Sequence, residues 1–229
     1  MSLAGKRIAI TGAFGSLGAA VVQAALKAGA QVAAIDRADA PPAGMDLGDA
    51  KRFGRVDLSD TTQAQSAIDA AAKALGGLDA LVNIAGTFRF ETLADGSPDT
   101  WDLLYRINLR TAVAASKAAL SHLPDDGRIV NIGAASAFKG NAGVAAYAAS
   151  KSGVMRFTES LAEELKERGI TVNAVLPSII DTPPNRKDMP KADFDKWVKP
   201  AQLADVIVFL LSEQASAITG ALIPVTGCV

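Results

Sequence analysis

The chain has 229 residues, 49% of them hydrophobic, which is enough to bury the core of one domain. Its net charge of −1 provides no basic field for nucleic acid or an anionic membrane, and no apolar stretch approaches the roughly 18 residues of a membrane span. Cys228 is the single cysteine, so a disulfide within the chain is excluded and we expect a cytoplasmic protein.

Short apolar, β-branched segments alternate with longer alanine-rich segments along the chain. Their periodicity predicts strands at 6–11, 31–36, 54–57, 79–84, 127–132, 170–176 and 221–225. It predicts helices near 16–28, 61–75, 99–122, 143–168 and 201–212. Continuous apolar strands between helices indicate an α/β fold, in which a single Rossmann-type domain has a doubly wound, mainly parallel, seven-stranded sheet with helices on both faces.

Residues 178–200, rich in proline and charge and with little periodicity, are expected to form a substrate loop or lid. We refer to them as the lid segment.

A glycine-rich turn follows the first predicted strand, with glycines at 12, 15 and 18, and a helix begins behind it. Small residues let the backbone approach a pyrophosphate, and the helix N-terminus supplies N–H donors. Asp36 closes the second strand, where its carboxylate can bind an adenosine ribose and repel a 2′-phosphate. The pattern therefore predicts a dinucleotide site that favours NAD(H). Arg37, beside this carboxylate, keeps NADP(H) as the alternative.

The stretch YAASK places Tyr147 and Lys151 one turn apart on a single helix face. A phenol beside a fixed ammonium is a plausible proton donor, because the positive charge lowers the pKa of the phenol. The hydroxyl that would help to polarise a substrate carbonyl is missing upstream, where the sequence reads Gly133-Ala134-Ala135.

Taken in order, these motifs resemble those of the short-chain dehydrogenase/reductases, which are single-domain oxidoreductases of the Rossmann type. The matching segments are TGAFGSLG (11–18), Asp36, Asp57 in RVDLSD, NIAG (83–86), Asn108 in RINLRT, YAASK (147–151) and NAVLPSIIDTP (173–183). The resemblance implies a cofactor-binding set of Gly12, Phe14, Gly15, Ser16, Leu17, Gly18, Asp36, Arg37, Asp57, Leu58, Asn83, Ala85, Gly86, Tyr147, Lys151, Pro177, Ile180 and Thr182. It also implies that Asn108 fixes a water connecting Lys151 to solvent.

One departure from the family pattern concerns catalysis. Thirteen residues before Tyr147, the position of the family's serine holds Ala134. Ser136 lies two residues further on and is the candidate to replace it, so the candidate catalytic residues are Tyr147, Lys151, Asn108 and Ser136. Two alternatives stay open: a general carbonyl or alcohol oxidoreductase that uses Ser136, and a cofactor-binding sensor or scaffold without turnover.

The lid segment and the residues before it are similar to those of the dihydropteridine reductases. The shared residues are LP (176–177), DTP (181–183), NRK (185–187), MP (189–190), ADF (192–194), Trp197 and Pro200. Those enzymes also carry alanine at the serine position and reduce quinonoid dihydropterins with NADH. The similarity implies a comparable small-molecule substrate, bound beside Phe88, Ala134 and Trp197, with Phe88 stacking on a flat heterocycle.

Composition predicts no nucleic-acid or membrane partner, and the family resemblance predicts that copies of the chain associate with one another. Members of the family often associate through the two long helices, here near 99–122 and 143–168, which implies a homodimer or homotetramer. His122 is the single histidine, so we expect no metal site.

Overall fold

A computed structural model describes residues 1–228, and its centre is one parallel sheet of seven strands. The strands are β1 Arg7–Thr11, β2 Gln31–Ile35, β3 Lys51–Phe53, β4 Ala80–Asn83, β5 Arg128–Ile132, β6 Thr171–Pro177 and β7 Leu222–Val225. Their order across the sheet is β3-β2-β1-β4-β5-β6-β7. The direction of winding reverses between β1 and β4, and in such sheets ligands bind in the crevice at the carboxyl ends of these strands. The predicted Rossmann-type fold is confirmed.

Seven α-helices connect the strands in the described part of the chain. They are α1 Ser16–Lys27, α2 Thr61–Leu75, α3 Pro98–Leu104, α4 Thr111–Ala119, α5 Ala145–Glu164, α6 Pro183–Asp188 and α7 Pro200–Leu211. None of the helices in residues 1–228 combines the length and the hydrophobicity that crossing a membrane requires.

Two apolar layers cover the two faces of the sheet. Helices α1 and α7 pack on one face, and α2, α4 and the end of α5 pack on the other. Successive strand residues point to opposite faces, so Ile8 and Ile10 of β1 join the first layer while Ala9 joins the second. Because both faces are buried, the inner strands are apolar without alternation, which is the pattern that predicted them.

The predicted third strand at 54–57 is wrong, because β3 is the earlier and shorter Lys51–Phe53. It pairs with Ala33–Ile35 of β2. Arg55 has a φ of 60°, which lies outside the extended region, and its N–H bonds the carbonyl oxygen of Ala38 at 3.1 Å instead of continuing the ladder. Residues 54–57, in which Val56 is the apolar side chain, therefore belong to an irregular segment beyond the sheet.

The predicted helix near 99–122 is two α-helices joined by a π-helical turn. This turn, Tyr105–Arg110, lies between α3 and α4 and contains the buried Asn108. π-Helical turns inside longer helices occur frequently at functional sites. The lid segment is likewise more ordered than its composition predicted, since it contains α6 and a short 3₁₀ turn at Phe194–Lys196.

Candidate active site

A cavity of about 760 Å³ lies at the carboxyl ends of the strands around the reversal point. Cavities of this size suit a small organic ligand or cofactor. Its walls bring together these predicted cofactor residues: Gly12, Phe14, Gly15, Ser16, Leu17, Gly18, Asp36, Arg37, Asp57, Leu58, Ala85, Gly86, Ile180 and Thr182. They come from the glycine turn, from the loops after β2, β3 and β4, and from the lid segment.

The three glycines of the turn are required for different reasons. Gly12 has a φ of 65°, and a Cβ there would lie 2.7 Å from the amide nitrogen of Ala85. A Cβ on Gly18 would collide with the carbonyl oxygen of Gly12. A Cβ on Gly15 would meet only this same oxygen, at an ordinary 3.5 Å. Protein packing therefore does not demand glycine at 15, where the chain lines the cavity.

Helix α1 begins at the cavity and offers free donors to it. Its N-cap, Gly15, has no side chain to accept a hydrogen bond from the first turn. Ala19 is the first residue whose N–H bonds within the helix, to the carbonyl of Gly15. The N–H groups of residues 16–18 and the positive end of the helix dipole are thus available to an anion such as a pyrophosphate. These features fit a dinucleotide cofactor.

Two carboxylates line the cavity on the side of β2 and β3. The side chain of Asp36 accepts hydrogen bonds from the N–H groups of Phe14 and Ala38, both at 2.9 Å. Asp57 accepts hydrogen bonds from the hydroxyl and the N–H of Ser59, and the hydroxyl bond holds the pKa of this carboxyl below its usual range. Arg37 is exposed and lines the same cavity. Acceptors for ribose hydroxyls and a cation for a phosphate therefore lie side by side.

A second cavity of about 210 Å³ adjoins the first and contains the predicted proton donor. Its walls are Leu17, Ile84, Gly86, Thr87, Ile132, Gly133, Tyr147, Lys151, Pro177, Ser178 and Ile180. Several of these residues line the large cavity as well, so the two spaces are adjacent. The motif residues Tyr147, Lys151 and Pro177 thus lie together, next to the predicted cofactor site.

Lys151 is buried at the end of β5. Its ammonium donates a hydrogen bond to the carbonyl oxygen of Ile132 at 2.7 Å, and burial lowers the pKa of Lys151 to about 8. Burial raises the pKa of Tyr147 to about 12, opposite to the lowering expected from the charge of Lys151, so the phenol is protonated at neutral pH. Gly86 makes room for this group, because a Cβ there would lie 3.4 Å from the lysine nitrogen and 3.1 Å from Oδ1 of Asn108.

Asn108 connects the loop after β4 to helix α5. Its Oδ1 accepts a hydrogen bond from the N–H of Thr87 at 2.7 Å, and its Nδ2 donates one to Oγ of Ser150 at 2.9 Å. The Ser150 hydroxyl in turn donates to the carbonyl oxygen of Tyr147 at 2.7 Å. The buried amide of Asn108 therefore holds the wall of the cavity against the helix that carries Tyr147 and Lys151.

The side chain of Asn83, a predicted cofactor-binding residue, lies within the sheet layer rather than in a wall of the two cavities. Its Nδ2 donates to Oγ of Ser116 at 3.0 Å and to Oδ1 of Asn131 at 2.8 Å. Asn131 continues the chain to Thr158 on α5 at 2.9 Å. The NIAG motif suggested contact with the cofactor, but strand alternation turns this asparagine toward α4 and α5, where it positions β4.

The residues predicted around the substrate have different environments. Ala134 is buried, with 4% exposure, and Ser136 is half-buried on the 3₁₀ turn Ala135–Ala137. Neither of them lines the cavity beside Tyr147. Phe88 is 49% exposed, and its ring meets that of Tyr147 edge to face at 4.9 Å between centroids.

Trp197 is buried against Phe194, with ring centroids 4.8 Å apart, and lines neither cavity. Its predicted place beside the substrate stays a prediction.

Several residues of the two cavities were not predicted. Thr87 lines both of them, Ser178 lines the smaller one, and Arg106 and Asn185 line the larger one. The hydroxyl of Ser178 donates to the carbonyl of Thr226 at 2.7 Å. Ser178 and Asn185 belong to the lid segment, so its irregular composition was the available signal. No sequence signal identifies Arg106, because exposed arginines are common on helices.

No group of three or more His, Cys, Asp or Glu side chains within residues 1–228 is arranged to hold a metal ion. The ring of His122 contacts Asp69 at 2.6 Å.

Sequence and structure comparisons agree on one family. Its profile, described as "short chain dehydrogenase", matches residues 6–193. Over 96% of its length the chain is 34% identical to 2-(S)-hydroxypropyl-CoM dehydrogenase 3 of Xanthobacter autotrophicus, covering 94% of that protein. It is 33% identical to the 3-oxoacyl-[acyl-carrier-protein] reductase FabG of Vibrio cholerae, over 99% of this chain and 98% of that one. A short chain dehydrogenase from Burkholderia cenocepacia, solved in complex with NADP, superposes with a TM-score of 0.87 at 32% identity, over 99% of this chain and 98% of that one.

Proposed function

The chain belongs to the short-chain dehydrogenase/reductases, a family of nicotinamide-dependent oxidoreductases, and we propose that it uses NADH to reduce a flat, conjugated acceptor of the quinonoid dihydropterin class. One observation carries this proposal: a buried alanine, Ala134, stands where the family pattern has a hydroxyl beside the proton donor.

The missing hydroxyl limits the substrates that the site can reduce. Loss of one preorganised donor at an oxyanion costs about 10²–10³ in turnover at an acyl-transfer site, and a simple ketone has a comparable need. A quinonoid ring accepts hydride into a conjugated system that gains stability, so it needs less polarisation. Nearby hydroxyls offer poor replacements, because Ser136 lies outside the cavity wall and Ser178 donates to Thr226.

The remaining groups suit a reduction. The bound nicotinamide cofactor supplies the hydride. Tyr147 is protonated at neutral pH because burial raises its pKa to about 12, so it can donate a proton to the reduced acceptor. Lys151, whose pKa is lowered to about 8 by burial, is mainly cationic at neutral pH and stabilises the phenolate that remains. It has further N–H groups for the nicotinamide ribose.

NADH as the preferred cofactor is supported by Asp36. Each oxygen of this carboxylate accepts one backbone N–H and retains lone-pair capacity for a ribose hydroxyl, while its charge repels a 2′-phosphate. NADP is the cofactor of the Burkholderia relative, and Arg37 beside Asp36 is the group that would favour it here. We place NADH first because Asp36 is held toward the turn by its two hydrogen bonds.

The proposed acceptor class rests on two further features. Phe88 is half exposed beside Tyr147, so an aromatic face is available to a flat heterocycle next to the proton donor. The second feature is the resemblance that we infer from sequence motifs between residues 176–200 and the dihydropteridine reductases.

A carbonyl reductase is the second candidate, favoured by the similarity to the FabG reductase. It requires Ser136 to replace the serine, which the position of this residue on the turn after Ala134 disfavours. A scaffold without turnover is disfavoured by the intact arrangement of Tyr147, Lys151 and Asn108.

Restoring the hydroxyl tests the proposal. Ala134→Ser should raise turnover of a simple cyclic ketone by about tenfold or more, which is part of what one oxyanion donor contributes, and should leave reduction of a quinonoid dihydropterin nearly unchanged. Equal gains on both acceptors would contradict the proposal, because they would show that the quinonoid substrate needs the same polarisation. Melting temperatures of both proteins check that the added oxygen is accommodated.

We also propose that the protein is a homo-oligomer. Trp101, Tyr105 and Val113 are exposed apolar residues on the segment formed by α3, the π-helical turn and α4, and we infer from their spacings of four and eight that they share one side of it. Light scattering coupled to size-exclusion chromatography tests this proposal, and a monomer at micromolar concentration would contradict it.

A further inference from the structure

Three residues of the lid segment, Ile180, Thr182 and Asn185, lie in the wall of the cofactor cavity. They precede or belong to α6, a helix of six residues. Isolated helices of this length are unstable in water, so the conformation of this wall must be maintained by contacts from elsewhere.

The two ends of the lid segment are joined to each other outside the seven-stranded sheet. Ile180 forms an isolated parallel bridge with Val198, and the N–H of Asp181 donates to the carbonyl oxygen of Val198 at 2.8 Å. Val198 is 1% exposed and packs in the core layer that contains α1 and α7. Residues 180, 181 and 198, which we call the base of the lid, are therefore anchored to the core, but these bonds do not include any residue of α6.

Arg186 of α6 connects the helix back to this base. Its Nε donates to Oδ1 of Asp181 at 2.5 Å, and its Nη2 donates to Oδ2 of the same residue at 2.8 Å. A bidentate pair of this kind fixes both position and orientation, because a planar fork meets a planar carboxylate. Asp181 directly precedes Thr182, the N-cap of α6, so the pair fixes the start of the helix relative to its fourth residue, Arg186.

The Arg186 guanidinium also contacts the C-terminal part of the lid segment. Its Cζ lies 4.7 Å from the centroid of the Phe194 ring, within the range of a cation–π contact. Phe194 in turn packs on Trp197, which is 5% exposed and adjoins the anchored Val198. Arg186 thus connects the carboxylate of Asp181, which precedes α6, to the aromatic pair Phe194 and Trp197, which follows it.

The other hydrogen bonds that hold α6 are weaker than the contacts of Arg186 with Asp181 and Phe194. Oγ1 of Thr182 accepts from the N–H of Asn185 at 3.4 Å, which is long for a helix cap. Nδ2 of Asn185 donates to the carbonyl of Ile180 at 2.8 Å. These bonds link the cavity-lining residues to one another, whereas Arg186 links them to the rest of the lid.

We propose that Arg186 is a positioning residue for cofactor binding: by pairing with Asp181 and stacking on Phe194 it holds Ile180, Thr182 and Asn185 in the conformation that the cofactor contacts. The inference rests on the proposed nicotinamide site and is independent of the identity of the acceptor. Arg186 itself lines neither of the two cavities.

The test is the affinity for NADH, measured by fluorescence titration of the full chain without any acceptor. Arg186→Gln should raise the Kd about two- to fivefold, which is the range expected for the loss of an ion pair whose arginine is half exposed. Arg186→Lys should lie between it and the wild type, because lysine keeps the charge and loses the bidentate fork. Lys187→Gln removes a neighbouring exposed charge from the same helix and should bind NADH like the wild type.

Two further measurements separate positioning from general stability. In steady state, Arg186→Gln should raise the KM for NADH more than it lowers kcat, with a melting temperature close to that of Lys187→Gln. Asp181→Asn should weaken NADH binding to a similar degree, and the double variant should be no weaker than either single one, because the two residues act as one pair.

Unchanged NADH affinity in Arg186→Gln would overturn the inference and leave the proposed function intact. A lower melting temperature with unchanged affinity would also overturn it, since that result describes a structural role alone. A wild type that binds neither NADH nor NADPH would contradict the proposed function, and the inference with it.

Discussion

The ammonium of Lys151 donates a hydrogen bond of 2.7 Å to the carbonyl oxygen of Ile132, the last residue of β5. This bond places a cation at the carboxyl end of a central strand, one helical turn from Tyr147. Because the site is buried, the pKa of Lys151 is lowered to about 8. The ammonium is therefore fixed in position but loses its charge in mildly alkaline solution.

The first prediction concerns pH. A lysine with a lowered pKa is cationic below that pKa and neutral above it, so its support for a tyrosinate is lost as the pH rises. kcat/KM for NADH, which reports the free enzyme, should be constant near neutral pH and fall about tenfold per pH unit above about 8. Lys151→Arg keeps its charge over this range and should lose the alkaline fall, whatever its absolute rate. A wild-type profile that stays level far above the lysine pKa would contradict this assignment.

The second prediction separates two glycines of the same turn. Gly15→Ala should fold with an unchanged melting temperature, since its Cβ meets no protein atom closer than 3.5 Å, but should bind NADH more weakly because the Cβ occupies cofactor space. Gly18→Ala should destabilise the protein by about 1–3 kcal/mol, because its Cβ collides with the Gly12 carbonyl. Thermal unfolding and NADH titration of both variants check this, and a Gly15→Ala protein that binds NADH normally would speak against the proposed pyrophosphate position.

The third prediction concerns cofactor choice. Asp36→Asn removes the charge that repels a 2′-phosphate and nearly preserves the shape of the side chain. The ratio of kcat/KM for NADPH over NADH should rise by about tenfold or more, which corresponds to about 1.4 kcal/mol. Arg37→Gln should lower use of NADPH selectively. An unchanged ratio in Asp36→Asn would show that this carboxylate does not select the cofactor.

The fourth prediction concerns Ser136, which lies outside the wall of the cavity beside Tyr147. Ser136→Ala should retain turnover within about twofold, since catalytic groups must lie within hydrogen-bond reach of the reacting atoms. The measurement is kcat with the preferred acceptor, and Ser152→Ala, which loses a hydroxyl bonded to the Ala137 carbonyl, is the matched control. A loss of two orders of magnitude in Ser136→Ala alone would favour the carbonyl reductase instead.

Much of the fold was predictable because burial on both faces produces a pattern that a single sequence reveals. The inner strands and the helices between them were placed within a few residues. The third strand was misplaced because β3 is a three-residue edge strand with two charged residues, and the positive φ of Arg55 has no sequence signal. The π-helical turn around Asn108 was also invisible, since it depends on packing rather than on local preference.

The candidate site, like the fold, was predictable from the sequence only in part. The glycine turn, Asp36 and the Tyr147–Lys151 pair follow from local spacing, and the structure brings them to two adjacent cavities. The side chain of Asn83 bonds within the sheet layer, which the motif did not indicate because motif adjacency does not fix the face on which a strand residue lies. The pairing of Asp181 with Arg186 and the contact of Arg186 with Phe194 required coordinates, since they depend on how an irregular segment folds back on itself.

The most direct test of the account is the initial rate of NADH oxidation with freshly generated quinonoid dihydropterin, after subtraction of the uncatalysed loss of this unstable substrate. We predict an enzyme-dependent rate that Tyr147→Phe lowers by about 10²-fold or more, as removal of a general acid should. The same variant should bind NADH with an affinity close to that of the wild type, which shows that the site is intact. No rate above background for the wild type, with turnover of a simple ketone under the same conditions, would contradict the account.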